Sequence, residues 1–281
     1  MALPEELLEK RDQLLKILEG YGRVAVAFSG GVDSALLAKA AALACGDSAI
    51  AVTAVSASLS SSELDAAKQT AAEIGIQHQF IQTHEFEDPN YVSNPNNRCY
   101  FCKSELYLRL ELLLPELNVD VMLNGANWDD RGDYRPGMTA ADEHRVASPL
   151  LDVELTKAEV RLLAQDWQLS VWDKPASPCL ASRIAYGIEV TPERVARVER
   201  AEKFLRDEFQ LQELRVRLEA NELARIEVPE DEIPRLVSPV AKSEIVKQFQ
   251  ELGFRFVTID LEGFRSGSMN TFLPVEVLEI S

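Results

Sequence analysis

The chain has 281 residues, with 29 basic against 46 acidic side chains, a formal net charge of −17 and a hydrophobic fraction of 46%. That length suits one large or two modest domains with a buried core, and the composition excludes a disordered or fibrous protein. The acidity disfavours a broad phosphate-binding surface, so no nucleic-acid partner is expected. No run approaches the ~18 apolar residues of a membrane span, and Met1–Gly20 lacks a signal-peptide core, so a cytoplasmic location without membrane attachment is expected.

In chain order, residues 5–18 place Leu7, Leu8, Leu14, Leu15 and Leu18 on one helical face. Arg23–Phe28 is a short apolar, β-branched run of the kind seen in a buried parallel strand. It ends in Ser29-Gly-Gly-Val-Asp-Ser34 and leads into an alanine- and leucine-rich helix to about Ala44. Residues 49–55 predict the next strand. Ser60 with Glu63 predicts a capping box for a helix to Ile74, and residues 76–82 a third strand. Cys99–Leu114 fits a helix, residues 120–124 a fourth strand, and Thr156 with Glu159 caps a further helix. This alternation predicts a doubly wound α/β domain with a parallel sheet over residues 1–187. After Gly187 the pattern changes. Pro192 opens a helix, residues 213–218 and 223–228 predict two strands, and residues 254–260 a third, giving a small α+β domain over 188–281.

Between a buried strand and a helix, Ser29–Ser34 has the make-up of a phosphate cradle. Its glycines permit close backbone approach, and the Ser29 and Ser34 hydroxyls join the helix N-terminal N–H groups as donors. Neither a Walker A pattern nor GxGxxG occurs. The segment resembles the PP-loop of N-type ATP pyrophosphatases, which cleave ATP between the α- and β-phosphates and adenylate an acceptor. That resemblance assigns ATP to Ser29, Gly30, Gly31, Asp33 and Ser34, with Asp33 helping to hold Mg²⁺. A plain glycine-rich turn is the rival reading.

Cys99-Tyr-Phe-Cys102 opens a helix and Cys179 lies in Pro178-Cys-Leu-Ala-Ser-Arg183. Thiolates are favoured at helix N-termini and beside cations, here Arg98, Lys103 and Arg183. Three soft ligands suit a [4Fe-4S] cluster with one open position. Four-cysteine zinc, which would need Cys45, and a metal-free redox or sulfur-carrying thiol set remain alternatives. Cys45 itself reads as a small buried thiol.

The segments Val26–Ser34, Arg98–Lys103, Cys179–Ile184, Leu223–Val228 and Gly263-Phe-Arg-Ser-Gly267 occur in one order, and this combination resembles the LarE family. These are ATP-dependent sulfur transferases of nickel-pincer nucleotide synthesis, whose cofactor serves lactate racemase. The resemblance implies adenylation of a carboxylate of pyridinium-3,5-biscarboxylic acid mononucleotide, displacement of AMP by a sulfur nucleophile, and a second round at the other carboxylate. It also implies a homo-oligomer, a hexamer. Members with a single cysteine at the Cys179 position sacrifice its sulfur. The presence of Cys99 and Cys102 resembles instead the three-cysteine branch, in which a [4Fe-4S] cluster carries hydrosulfide from a sulfide donor. Cys99, Cys102 and Cys179 are then cluster ligands, and with Asp33 and Arg183 they form the catalytic set.

Other residues join that site as expectations. Arg215 and Arg217 alternate along a strand, so both point to one face and can fork a substrate phosphate. Arg265 and Ser266 suggest a second anion-holding loop. Ser182 and Arg183 are placed at the nucleotide or activated carboxylate, and Glu202 and Glu227 at Mg²⁺ or the arginines. Gly125, Asn127 and Asp129 follow a strand's carboxyl end, where doubly wound folds bind ligands, and are assigned to ATP. His78, His84 and His144 show no ligand spacing. The competing functions are a PP-loop tRNA thiolase, against which the net charge weighs, an ammonia-using synthetase, which would need no cysteine trio, and a nucleotide-binding scaffold that never releases pyrophosphate.

Overall fold

In the computed structural model, which describes residues 3–132, 136–175 and 177–265, the contacts divide the chain into two compact units. Of the described residues, one comprises those up to Glu85 and Asn97–Ser177; the other comprises Phe86–Asn96 and residues 178–265.

The first unit opens with α1 (Glu5–Tyr21), β1 (Val24–Ala27), α2 (Val32–Cys45), β2 (Ala49–Val55), α3 (Ser61–Ile74) and β3 (Gln77–Gln82). The short α4 (Pro89–Val92) falls in the second unit, and the first resumes with α5 (Arg98–Leu117) and β4 (Val121–Leu123). It ends with α6 (Pro136–Glu143), α7 (Pro149–Asp152) and α8 (Lys157–Asp166). The four strands are all parallel in the order β3-β2-β1-β4, with Val24 paired to Ala49 on one side and Val121 on the other. This is the α/β parallel-sheet architecture that the alternation predicts.

Successive residues of β1 face opposite sides of the sheet. Val24 and Val26 join a core with Leu14, Leu18, Leu36, Leu37, Leu163 and Ala164, drawn from α1, α2 and α8. Ala25 joins a second core with Val52, Leu106, Tyr107, Leu110 and Met122, to which α5 is the main contributor. Burial on both faces explains why β1 reads as an unbroken apolar run. The order reverses between β1 and β4, since the chain runs outward to β3 and then returns beside β1. That switch point leaves a crevice at the carboxyl ends of the two strands.

Local signals behave unevenly. Thr156 and Glu159 form a full capping box, with the Thr156 hydroxyl accepting from the Glu159 N–H and Glu159 accepting from the Thr156 N–H at 2.8 Å. At Ser60 only half of the expected box forms: its hydroxyl accepts from the Glu63 N–H at 3.2 Å, while the Glu63 carboxylate pairs with Lys174 at 2.8 Å. The lysine charge holds that carboxylate more strongly than the neutral Ser60 backbone N–H would.

The second unit contains α9 (Pro192–Phe209), β5 (Arg215–Glu219), β6 (Leu223–Glu227), α10 (Ile233–Leu236), α11 (Pro239–Glu251) and β7 (Phe256–Ile259). Its sheet runs β5-β6-β7, antiparallel then parallel. Pro192 sits in the first turn of α9, capped by the Thr191 hydroxyl. Val195, Val198 and Leu205 of α9 are buried together with Val216, Leu218 and Ile226 of the strands. Asn94, wholly buried, donates its amide to the carbonyls of Ala185 at 2.8 Å and Ile188 at 2.9 Å, tying residues 86–96 to this unit.

Candidate active site

The phosphate loop is built by its own hydroxyls. Ser34 Oγ donates to the Gly31 carbonyl at 3.1 Å and accepts from the Ser29 N–H at 3.2 Å, while Ser29 Oγ lies 3.1 Å from Ser34 Oγ. These bonds fold residues 29–34 over the N-terminus of α2. Gly30 has φ +71°, and a Cβ there would lie 2.9 Å from the Ala67 Cα, so the loop seats on α3 only with glycine. The strand beneath is buttressed: Thr53 Oγ1 donates to the Phe28 carbonyl at 2.7 Å and therefore accepts from His78 Nε2 at 2.8 Å. Burial, then the Lys68 charge, push the His78 pKa down, which keeps the ring neutral in this role.

The crevice beside β1 is a cavity of about 650 Å³. Ser29, Asp33 and Ser34 line one wall, Asn124, Gly125, Asn127 and Asp129 another, and Cys99, Lys103 and Tyr107 of α5 a third. Gly125 abuts α2 so closely that a Cβ would lie 2.9 Å from the Ser34 backbone nitrogen. Asn127 Nδ2 donates to Asp33 Oδ1 at 3.0 Å, and its Oδ1 accepts from the Asp129 N–H at 3.0 Å. Asp129 Oδ2 in turn accepts from the Lys157 N–H at 2.9 Å, and the Lys157 ammonium ion-pairs with Asp33 Oδ2. Of the residues assigned to ATP in this unit, Ser29, Gly31 and Ser34 are hydrogen-bonded to one another, and Asn127 links Asp33 to Asp129. Sequence reading passed over Lys157 and Asn124. The capping box at Thr156 marked the helix start, but nothing local shows where the Lys157 side chain goes. Asn124 is buried, its Oδ1 accepting from the Ala126 N–H at 2.9 Å and its Nδ2 without a partner among the described residues.

None of the four cysteines is disulfide-bonded. Cys99 is exposed, and Cys102 half-buried one turn along on α5, both in the first unit; Cys179 is exposed in the second. Three cysteine sulfurs, soft donors, have the chemistry an iron–sulfur cluster requires. Among the described residues no set of three His, Cys, Asp or Glu side chains is already gathered in metal-binding geometry.

In the second unit Cys179 precedes a single helical turn, Leu180–Arg183, held by two arginines. Arg183 Nη1 donates to the Pro178 carbonyl at 2.7 Å and to Ser182 Oγ at 3.2 Å, while its Nε meets Glu202 at 3.0 Å. Arg217 Nη1 donates to the Ser182 carbonyl at 2.8 Å, and its Nε and Nη2 grip Glu227 at 3.1 and 3.0 Å. Glu202 and Glu227 are therefore not solvated surface carboxylates; both are almost wholly buried and orient arginines. Arg215 is buried, its guanidinium 4.6 Å from the Phe264 ring centroid and bonded to the Arg265 carbonyl at 3.3 Å. Burial, then the Arg217 and Arg183 charges, push its pKa down. Ser266 of the expected anion-holding loop lies outside the described residues.

A parallel sheet whose central strand ends in Ser-Gly-Gly-Val-Asp-Ser at the switch-point crevice defines the PP-loop class of ATP-using proteins. Residues 12–95 match the family model described as asparagine synthase. The chain is 38% identical over 268 residues to pyridinium-3,5-bisthiocarboxylic acid mononucleotide synthase of Lactiplantibacillus plantarum, covering 95% of this chain and 96% of the relative. An uncharacterized protein of Synechocystis sp. is 47% identical over 267 residues, covering 95% and 99%. The B subunit of the glutamine-hydrolysing GMP synthase of Thermococcus kodakarensis is 26% identical over 220 residues, covering 73% and 71%. The chain belongs to the LarE family, that of the pyridinium-3,5-bisthiocarboxylic acid mononucleotide synthase.

Proposed function

We propose that this protein is an ATP-dependent sulfur transferase. It converts the ring carboxylates of pyridinium-3,5-biscarboxylic acid mononucleotide to thiocarboxylates on the route to a nickel-pincer nucleotide. The observation that carries this reading is that the phosphate loop and Cys99 line one cavity, so activation and a sulfur-bearing thiol share a chamber.

Ser29, Ser34 and the first N–H groups of α2 hold the pyrophosphate end of ATP, and Asp33 would hold Mg²⁺ with it. A substrate carboxylate oxygen attacks the α-phosphorus and pyrophosphate leaves, giving an acyl-adenylate. A sulfur nucleophile then adds to the acyl carbon and AMP departs with the bonding electrons, leaving a thiocarboxylate. Arg215, with no ion pair among the described residues, offers its charge to the substrate phosphate, and Arg217 and Arg183 shape the loop that presents Cys179 and Ser182. Cys99, Cys102 and Cys179 would hold a [4Fe-4S] cluster, which supplies an activated sulfide drawn from an external donor. A homo-oligomer in the cytoplasm belongs to the same reading.

The test is anaerobic. Protein with about four irons and four sulfides per chain, given Mg-ATP, sulfide and the biscarboxylic mononucleotide, is expected to release pyrophosphate and form thiocarboxylate over many turnovers. Cys99→Ala should lose the iron and the turnover together. Conversion of Cys179 to dehydroalanine in one turnover would replace cluster delivery with sacrificial transfer. Pyrophosphate release without sulfur in the product would overturn the sulfur-transfer reading.

A further inference from the structure

Asn94 is wholly buried, has φ +56° and lies five residues before Cys99. Its side-chain amide donates to the carbonyls of Ala185 at 2.8 Å and Ile188 at 2.9 Å, with the Ile184 carbonyl at 3.3 Å. Its own carbonyl accepts from the Gly187 N–H at 3.0 Å, and the Val92 carbonyl accepts from the Val190 N–H at 2.9 Å. Every one of these partners follows Cys179 closely in the chain. An uncharged amide group satisfies converging buried carbonyls without burying a charge, and asparagine tolerates the left-handed backbone that the position demands.

The Cys179 side of this staple is itself fixed. The Cys179 carbonyl accepts from the Ser182 N–H at 2.9 Å and the Ala181 carbonyl from the Ile184 N–H at 3.1 Å. Beyond them, the Ala185 N–H donates to the Leu218 carbonyl of β5 at 3.0 Å. At the rise of such a tight turn, Cys179 lies about 10 Å along the chain from Ile184. On the other side, the chain from Asn94 to Cys99 spans at most about 18 Å even when fully extended. One buried side chain therefore limits how far the start of the CxxC helix can stray from the loop bearing Cys179.

We propose that Asn94 is a positioning residue for the thiol set: it sews the segment that leads into Cys99 and Cys102 to the loop that carries Cys179, keeping the three sulfurs within reach of one another. This deepens the three-cysteine reading and rests on it. A staple that only stabilised the second unit would be indifferent to the length of chain between Asn94 and Cys99. A positioning staple is not. Inserting about eight Gly-Ser residues between Pro95 and Asn96 leaves every bond of Asn94 in place but raises the limit from about 18 to about 47 Å.

The experiment is thiol cross-linking of the cluster-free full chain, with Cys45→Ser and Cys102→Ser so that Cys99 and Cys179 are the reactive pair. A short bismaleimide is the probe, and intrachain linkage is read on a denaturing gel and by peptide mapping. The parent should cross-link readily. The insertion should slow linkage roughly fourfold or more, as the effective concentration of a tethered pair falls with tether length, and Asn94→Gly should slow it roughly threefold or more. With the native cysteines, both changes should lose most of the iron taken up on anaerobic reconstitution, while Mg-ATP binding stays at the wild-type level. A parent that does not cross-link, or an insertion that cross-links at the parent rate, overturns the proposal. Should Asn94→Gly fail to fold, the insertion decides alone. A wild type that takes up no iron overturns the cluster reading, and the cross-linking rates then still decide whether Asn94 positions the thiols.

Discussion

Replacing Glu227 by glutamine removes one negative charge from a site with no exposure, without changing its size. The carboxylate there accepts from Arg217 Nε at 3.1 Å, Arg217 Nη2 at 3.0 Å and Arg225 Nη1 at 2.7 Å. Arg225 keeps Glu219 at 2.8 Å and Asp260 at 2.7 Å, so its charge stays compensated. Arg217, with a side chain 3% exposed, loses its carboxylate and remains as a buried cation. Breaking a buried ion pair by removing one partner costs about 3–5 kcal/mol. A domain is stable by about 5–15 kcal/mol in all, so the second unit should lose a large part of its margin. With a urea slope of roughly 1–3 kcal/mol per molar, its midpoint should fall by roughly 2 M. Trp128, Trp167 and Trp172 all lie in the first unit, so far-UV circular dichroism, rather than tryptophan fluorescence, is the probe for the second. Two controls frame the result. Glu219→Gln, at a partly exposed pair, should cost about 1 kcal/mol or less. The double change Arg217→Met with Glu227→Leu should recover most of the loss, because it removes the charge together with its partner. A Glu227→Gln protein less than about 1 kcal/mol below wild type would refute the argument that this carboxylate holds Arg217 in place.

Gly125→Ala should force apart the loop after β4 and the first turn of α2, because its Cβ would meet the Ser34 nitrogen at 2.9 Å. Overpacking of this kind costs about 1–3 kcal/mol, so pyrophosphate release at limiting ATP should drop roughly tenfold or more; an unchanged rate would show that the contact is not part of the nucleotide site. His78 is held below its ordinary pKa by burial, so the unfolded chain takes up this proton first as pH falls. Its stabilising contribution is whole above the unfolded value of about 6.5 and declines as the pH falls below it, and His78→Gln should flatten the wild-type stability profile just below that pH. Inorganic phosphate should raise the unfolding midpoint of the second unit by relieving the crowding of Arg215, Arg217 and Arg183, and Arg215→Gln should lose that increment in a thermal shift series.

What was legible in the sequence rests on neighbours within a few residues. The apolar run ending in Ser29–Ser34, the proline at the start of α9, the Thr156–Glu159 box and the CxxC opening α5 each carry their signal within one strand or turn. Such features settled the α/β class and the position of the phosphate loop, because burial on both sheet faces and helix capping leave a direct print on local residue choice. Pairings between distant segments leave no such print. Whether Glu63 would close its own cap or reach Lys174 depended on a lysine arriving from another part of the chain. Glu202 and Glu227 were expected at Mg²⁺ or the arginines, and only packing paired them, almost wholly buried, with Arg183 and Arg217. The strand order that opens a crevice beside β1, the union of residues 86–96 with the second unit, and the meeting of Lys157 with Asp33 were likewise decided only by the tertiary structure. Residue type fixes what a side chain is able to bind, whereas the packing of remote elements chooses its partner.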